Sequence, residues 1–220
     1  MIKISKSIYS LVLSDDVVEA VDALANKSGI SRSAMVNRIL AERVAYTTPE
    51  MRLEEILESL ARSMNGAFLL SEKPSGGTLS ARTSLKYRYK PTVKYSVEIF
   101  TENGHRAGEM RVSFRTQSSQ LIEDLTGFFK CWAALEQRCI ADKLSADILY
   151  TISEGHFTRT LNMPSSNISD ERLGTAVADY MAMFDGAMKA YFLKLPDVEE
   201  AAAAAGEYYR REISRQRVIV

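Results

Sequence analysis

The chain has 220 residues, 46% of them hydrophobic and 25% charged, which are ordinary globular values with room for a small module and a larger domain. Twenty-eight lysines and arginines balance 28 aspartates and glutamates, so net charge argues neither for nor against nucleic acid, and any basic surface must be local. The two cysteines, Cys131 and Cys139, stand eight apart in one helical stretch, which excludes a disulfide framework and a CxxC metal knuckle and suits a reducing compartment.

Met1–Lys6 lacks the apolar region of a secretory leader, and no stretch approaches the about 18 apolar residues of a membrane span. A cytoplasmic protein with no membrane partner is expected. Ile8-Tyr9-Ser10-Leu11-Val12-Leu13 is a short β-prone run. It stops at Ser14-Asp15-Asp16, where Ser14 suits an N-cap and the aspartates suit the positive end of a helix. Val17, Val21 and Leu24, flanked by Val18, Ala20 and Ala25, then recur at helical spacing through Asn26. Gly29 is placed as the residue that ends the helix, with apolar Ile30 after it. Ser31 caps a second helix with a stripe of Met35, Val36, Ile39, Leu40 and Val44, and Thr47-Thr48-Pro49 closes the segment. One strand and two short helices cannot stand alone, because the strand lacks a partner and about 45 residues rarely supply a sufficient core. A second copy would pair the strands antiparallel and interlock four helices.

This strand–helix–turn–helix order, with Leu13-Ser14-Asp15 opening the first helix and Gly29-Ile30-Ser31-Arg32-Ser33-Ala34-Met35 at the joint, resembles the ribbon-helix-helix family that includes the Arc and Met repressors and the small plasmid copy-number repressors. The resemblance covers roughly residues 4–46 and implies an intertwined dimer. It implies that the paired strands enter the major groove of double-stranded DNA while the N-termini of the second helices hold phosphates. On that pattern Leu11 and Leu13 face the helices, and Ile8, Ser10 and Val12 point outward with Lys6 at the edge. Ser31, Arg32 and Ser33 lie at the phosphate-anchoring turn. The chain departs from the family here, since base-reading positions there are usually polar or basic. Ile8 and Val12 can offer only apolar contact to a thymine methyl, leaving Ser10 as a single short polar reader. Residues 1–45 hold six basic side chains (Lys3, Lys6, Lys27, Arg32, Arg38 and Arg43) against five acidic ones (Asp15, Asp16, Glu19, Asp22 and Glu42). Binding by one dimer is therefore expected to be weak or to need cooperativity. A module that serves only to dimerise is the alternative.

Beyond residue 50 the pattern changes. Met51–Leu70 reads as an amphipathic helix buried through Met51, Ile56, Leu57, Leu60, Ala61 and Met64. Lys73–Thr78 has loop composition and lacks the Gly-Lys-Ser/Thr of a phosphate loop. Leu85, Tyr87 and Tyr89 alternate with Lys86, Arg88 and Lys90 as a strand ending at Pro91, and Val93, Tyr95, Val97 and Ile99 continue on the next. Glu102-Asn103-Gly104-His105 is a hairpin signal. With Asn103-Gly104 as its loop, Val97 meets Met110, Tyr95 meets Val112, Val93 meets Phe114, and Glu98 meets Glu109. Arg106 and Arg111 stand near enough to neutralise those two carboxylates, so an exposed strand face is expected rather than an acid/base pair. From Lys73 to Val97 there are six basic residues (Lys73, Arg82, Lys86, Arg88, Lys90 and Lys94) and no acidic one. They suggest either a solvated strand face or a second, non-specific nucleic-acid surface.

Leu121, Leu125, Phe128, Trp132, Leu135 and Cys139 share the stripe of a central buried helix. A second hairpin follows, Ile148–Ile152 and Phe157–Leu161 around Glu154-Gly155. Asp170–Leu195 is a further helix, and a last one capped by Asp197 reads as solvated or partner-binding. The whole is an α+β protein: a module at residues 1–46, then a domain at 51–220 of antiparallel hairpins packed on helices. Trp132, Phe128, Met181, Phe184 and Met188 read as core, with an effector pocket as the alternative. His105 and His156 flank turns, and the cysteines read as core residues. No GxSxG, HExxH or GxGxxG motif is present. The expectation is a non-enzyme without metal or cofactor. Three functions compete: a dimeric transcriptional regulator, a partition or relaxosome accessory protein, and a protein-binding scaffold. Higher oligomers or a protein partner would use the C-terminal domain.

Overall fold

The computed structural model describes residues 7–64, 66–71, 77–87, 90–101 and 104–220. It divides into two units, Met1–Arg52 and Leu53–Val220.

In the first unit, α1 (Asp15–Ser28) and α2 (Arg32–Arg43) are set by their ends. Gly29 takes a left-handed φ of 67°, which only glycine adopts without strain, and the chain turns back as Ile30 N–H donates to Ala25 O at 3.0 Å. Ser31 Oγ then accepts Ala34 N–H at 3.2 Å and starts α2. The helices meet through Val21, Ala25 and Met35, with Val36 beside them. The rest of the expected α2 stripe is open: Ile39, Leu40 and Val44 are exposed. Residues 7–14 form neither strand nor helix, because a lone strand finds no ladder partner in its own unit.

The second unit is built on one six-stranded antiparallel sheet in the order β1-β2-β3-β4-β6-β5. Helix α3 (Pro49–Ser63), which spans the boundary between the units, is capped by Thr48, whose Oγ1 accepts Met51 N–H at 3.2 Å. The helix stops seven residues short of the expected Leu70. Gly66 takes a φ of 90°, and Leu69–Leu70 become β1, paired with Ala81 and Arg82. The strand expected at 85–90 is displaced: β2 is Thr78–Ser84, and residues after it turn back as Leu85 N–H donates to Pro91 O at 3.0 Å. The serine, threonine and alanine of β2 gave no strong alternation, whereas the Tyr/Lys run that follows did. β3 (Thr92–Ile99) and β4 (Arg106–Phe114) pair as expected, Val97 with Met110, Tyr95 with Val112 and Val93 with Phe114. Glu102 and Asn103 of that hairpin, like Lys73 and the loop motif around it, lie outside the described residues.

After α4 (Ser119–Cys139) and a turn of 3-10 helix come β5 (Tyr150–Ser153), β6 (His156–Asn162), α5 (Asp170–Phe192) and α6 (Val198–Ile213). One sheet face packs on α4 and α5: Phe129 stacks on Phe157 at 5.1 Å, Phe157 on Phe184 at 5.2 Å, and Phe184 meets Trp132 at 5.1 Å. The aromatic and methionine residues weighed for an effector pocket, Phe128, Trp132, Met181, Phe184 and Met188, are all fully buried in this core. α3 crosses α5 at Gly174, where a Cβ would lie 2.3 Å from Ile56 O. The last helix is not merely solvated. Ala201, Ala205 and Tyr209 are buried, and Tyr209 meets Trp132 edge-on at 5.1 Å.

Two buried carboxylates tie the layers. Asp185 on α5 accepts Thr83 Oγ1 of β2 at 2.7 Å and Tyr95 OH of β3 at 2.8 Å, with Lys189 Nζ at 2.5 Å. Glu136 on α4 accepts Arg159 Nη2 of β6 at 3.0 Å, Tyr150 OH at 3.1 Å and Tyr180 OH at 3.2 Å. Neither side chain of the Glu136–Arg159 pair touches solvent, and the guanidinium lies 4.4 Å over the Tyr180 ring. Burial pushes the Glu136 carboxyl above its ordinary range, against the pull of Arg159 and the two hydroxyls. Removing one member leaves the other charge buried alone, which costs about 3–5 kcal/mol. Glu136→Leu should therefore lower the thermal midpoint sharply, and Glu136→Leu with Arg159→Met should recover much of the loss. Equal melting of the single variant and the parent would contradict this.

Candidate nucleic-acid interface

Residues 7–14 and the N-terminus of α2 are the surfaces on which the predicted DNA-binding residues fall. Ser14 is extended (φ −69°, ψ 153°) where the segment runs into α1. Ile8, Ser10 and Val12 share one parity and are exposed, Ile8 and Val12 completely so. Leu11 and Leu13 share the other parity and are 59% and 43% exposed. Lys6 lies outside the described residues.

At the second surface the structure brings Ser31, Arg32 and Ser33 together. Ser31 uses its hydroxyl on its own helix, which leaves the N–H groups of Arg32 and Ser33 at the positive end of α2 open to an anion. Arg32 is not open in the same way. Its Nε and Nη2 donate to the two carboxylate oxygens of Asp22 on α1, a bidentate pair across the helix joint. The bonded Arg32 holds the Asp22 carboxyl below its usual range, and the carboxylate holds the guanidinium above its own. Asp22 was legible only as one of five acidic residues in the module. Nothing in a ten-residue separation says that two helices will fold it onto Arg32. Arg38 similarly reaches Glu42 one turn along α2, at 3.2 Å. Two of the module's six basic side chains are thus paired within it, and its net excess stays small.

Elsewhere the sequence-level candidates disperse. His105 and His156 are both exposed, and Cys131 and Cys139 are half-buried free thiols. Glu98 and Glu109 do face each other, and Arg111 takes both, at 3.1 and 2.6 Å. No three His, Cys, Asp or Glu residues converge among the described residues. No helix of the described residues is long and apolar enough to cross a membrane.

Residues 10–47 match the family described as ribbon-helix-helix protein, copG family. That stretch runs from the exposed extended segment through the Gly29 joint and the whole of α2, so this part of the chain carries a DNA-binding ribbon-helix-helix fold. No curated protein and no solved structure matches the chain.

The Asp22–Arg32 pair makes a direct prediction. Asp22→Asn should release the guanidinium and remove one negative charge, so duplex DNA should bind more tightly and with a steeper salt dependence, by about 0.9 in the log–log slope for each further phosphate neutralised. Fluorescence anisotropy across a salt series measures this, and an unchanged slope would mean that Arg32 does not meet phosphate.

Proposed function

We propose that the chain is a dimeric, DNA-binding transcriptional regulator whose two N-terminal segments pair as a ribbon in the major groove, with the α2 N-termini on phosphates. The observation that carries this is the combination of the family match with the surface the first unit leaves uncovered. Leu11, Leu13, Val17, Leu24, Leu40 and Val44 are all exposed, Leu40 by 53% and Val44 by 72%. These are the positions that the family pattern turns inward. An apolar set of this size, beside an extended segment with unused ladder groups, is what a second copy would cover. The function is binding rather than catalysis, in a cytoplasmic setting, with Ile8, Ser10 and Val12 toward the bases and Ser31, Arg32 and Ser33 toward the backbone.

The second unit then serves an effector or a further protein contact. A cleft of about 290 Å³ between α4 and α6, lined by Cys131, Leu135, Arg138, Ala202, Gly206 and Arg210, is one place for such a contact. A partition or relaxosome accessory role uses the same module, and a target site at an origin rather than a promoter would identify it. One observation favours a scaffold that keeps the module only to dimerise: the most exposed ribbon positions, Ile8 and Val12, are apolar, and Arg32 is already paired.

Two measurements test the proposal together. Sedimentation should give a dimer that Leu40→Glu dissociates. Footprinting on upstream DNA should show protection that disappears on deletion of residues 1–46 and weakens in Arg32→Ala. A dimer that protects no DNA would support the scaffold, and a monomeric parent would overturn both readings.

A further inference from the structure

The face of the sheet turned away from the helices carries positive charge that no described carboxylate meets. Arg82 on β2 and Lys94 on β3 are direct cross-strand partners, and both are exposed. Like charges placed opposite each other weaken a sheet, so the fold by itself gives no reason for the pair. Glu98 and Glu109, the acidic residues of the same face, are both held by Arg111.

The pair does not stand alone. β2 and β3 are joined by the turn that carries Lys86 and Lys90, both exposed, and Lys90 takes a left-handed φ of 50°. Arg115, also exposed, follows Phe114, whose partner Val93 adjoins Lys94. Arg82, Lys86, Lys90, Lys94 and Arg115 thus gather at one end of the sheet. Hydroxyls stand between them: Ser84 pairs with Thr92 across β2 and β3, and Ser113 is the β4 partner of Lys94. Of the acidic residues nearby in the topology, Asp124 lies on the helix side, accepting Tyr87 OH at 2.9 Å and Gln120 Nε2 at 3.0 Å. Glu154 stands in the β5–β6 turn, whose Gly155 O accepts Phe114 N–H at 3.0 Å, so this carboxylate borders Arg115 rather than the Arg82–Lys94 pair.

We propose that this corner binds the phosphate backbone of double-stranded DNA, as a sequence-independent contact supplied by the second unit. Cations spaced along two strands with hydroxyl donors between them suit a run of phosphates. Single strands fit less well, because binding them calls for aromatic platforms on the same face. Here Tyr95 is buried on the opposite face, and the half-buried Tyr87 packs edge-on against Phe192 at 5.5 Å. The choice of DNA over another polyanion rests on the function proposed above. It also answers a shortage found there, since the module has little uncommitted positive charge and phosphate contacts dominate affinity.

The test uses the full chain and a random-sequence duplex, with binding followed over a salt series. Arg82→Gln with Lys94→Gln should flatten the log–log salt slope by about 0.9 for each phosphate no longer neutralised, roughly 2 per protomer. Its thermal midpoint should not fall, because a like-charge pair has been removed. If that variant melts lower than the parent, Lys86→Gln with Lys90→Gln, changed only on the turn, should flatten the slope in its place. An unchanged slope in a normally folded variant overturns the inference and leaves the corner to an acidic protein surface. Arg32→Ala, measured alongside, separates the two claims. A weaker slope in Arg32→Ala alone keeps the regulator and overturns the corner, and a weaker slope in the sheet variant alone keeps the corner and overturns the placing of Arg32 on phosphate. A parent that binds no duplex at any salt overturns both.

Discussion

α5 is apolar around nearly its whole circumference, and a helix of that kind has to be enclosed. Most of the second unit follows from this requirement. The sheet covers α5 through Tyr95, Phe157 and Phe184, α4 lies beside it through Phe128 and Trp132, and α6 closes the far side. α3 crosses at Gly174, where any side chain would strike the Ile56 carbonyl. Two polar groups admitted to this interior, Asp185 and Glu136, are held by several partners each and join strand to helix. With the interior closed in this way, recognition is left to the outer surfaces.

The first unit answers the opposite condition. Its core within one chain amounts to Val21, Ala25 and Met35, too little to hold a unit of this size by itself. The apolar side chains that would enlarge it are present but open to solvent. The same deficit explains why residues 7–14 form no strand: their partner is not in the unit.

Much of this was readable from residues alone, and the failures have physical causes. Gly29, Ser31 and Asp197 act locally, so their capping roles could be inferred from a few neighbours and were found as expected. The β3–β4 register followed from its two-residue loop, although Asn103 itself is not described, because one apolar face admits one register. β1 and β2 were missed since Thr, Ser and Ala alternate weakly, while Leu85, which opened the stronger pattern, turns back to donate to Pro91 O, and Arg88 and Tyr89 lie outside the described residues. The Glu136–Arg159 pair had a signal that went unused. Arg159 shares its parity with Phe157 and Leu161, and Glu136 lies one turn beyond Trp132, so both sat on faces already assigned to the core. At the candidate interface residues 7–14 are all exposed, and the Asp22–Arg32 pair was not legible because it depends on the angle between two helices.

The exposed apolar face of the first unit has a consequence for dosage. On the proposed reading the unit completes its core only by pairing, so its stability cannot be separated from the concentration of the chain. Below the dissociation constant of the pair, the amount of assembled reader grows with the square of the number of chains. A doubling of expression then yields a fourfold rise in the competent species, and dilution at cell division is felt as steeply. Regulation by such a protein carries a threshold before any effector is invoked, and that threshold is set by how well Leu40, Val44 and their neighbours pack against a second copy.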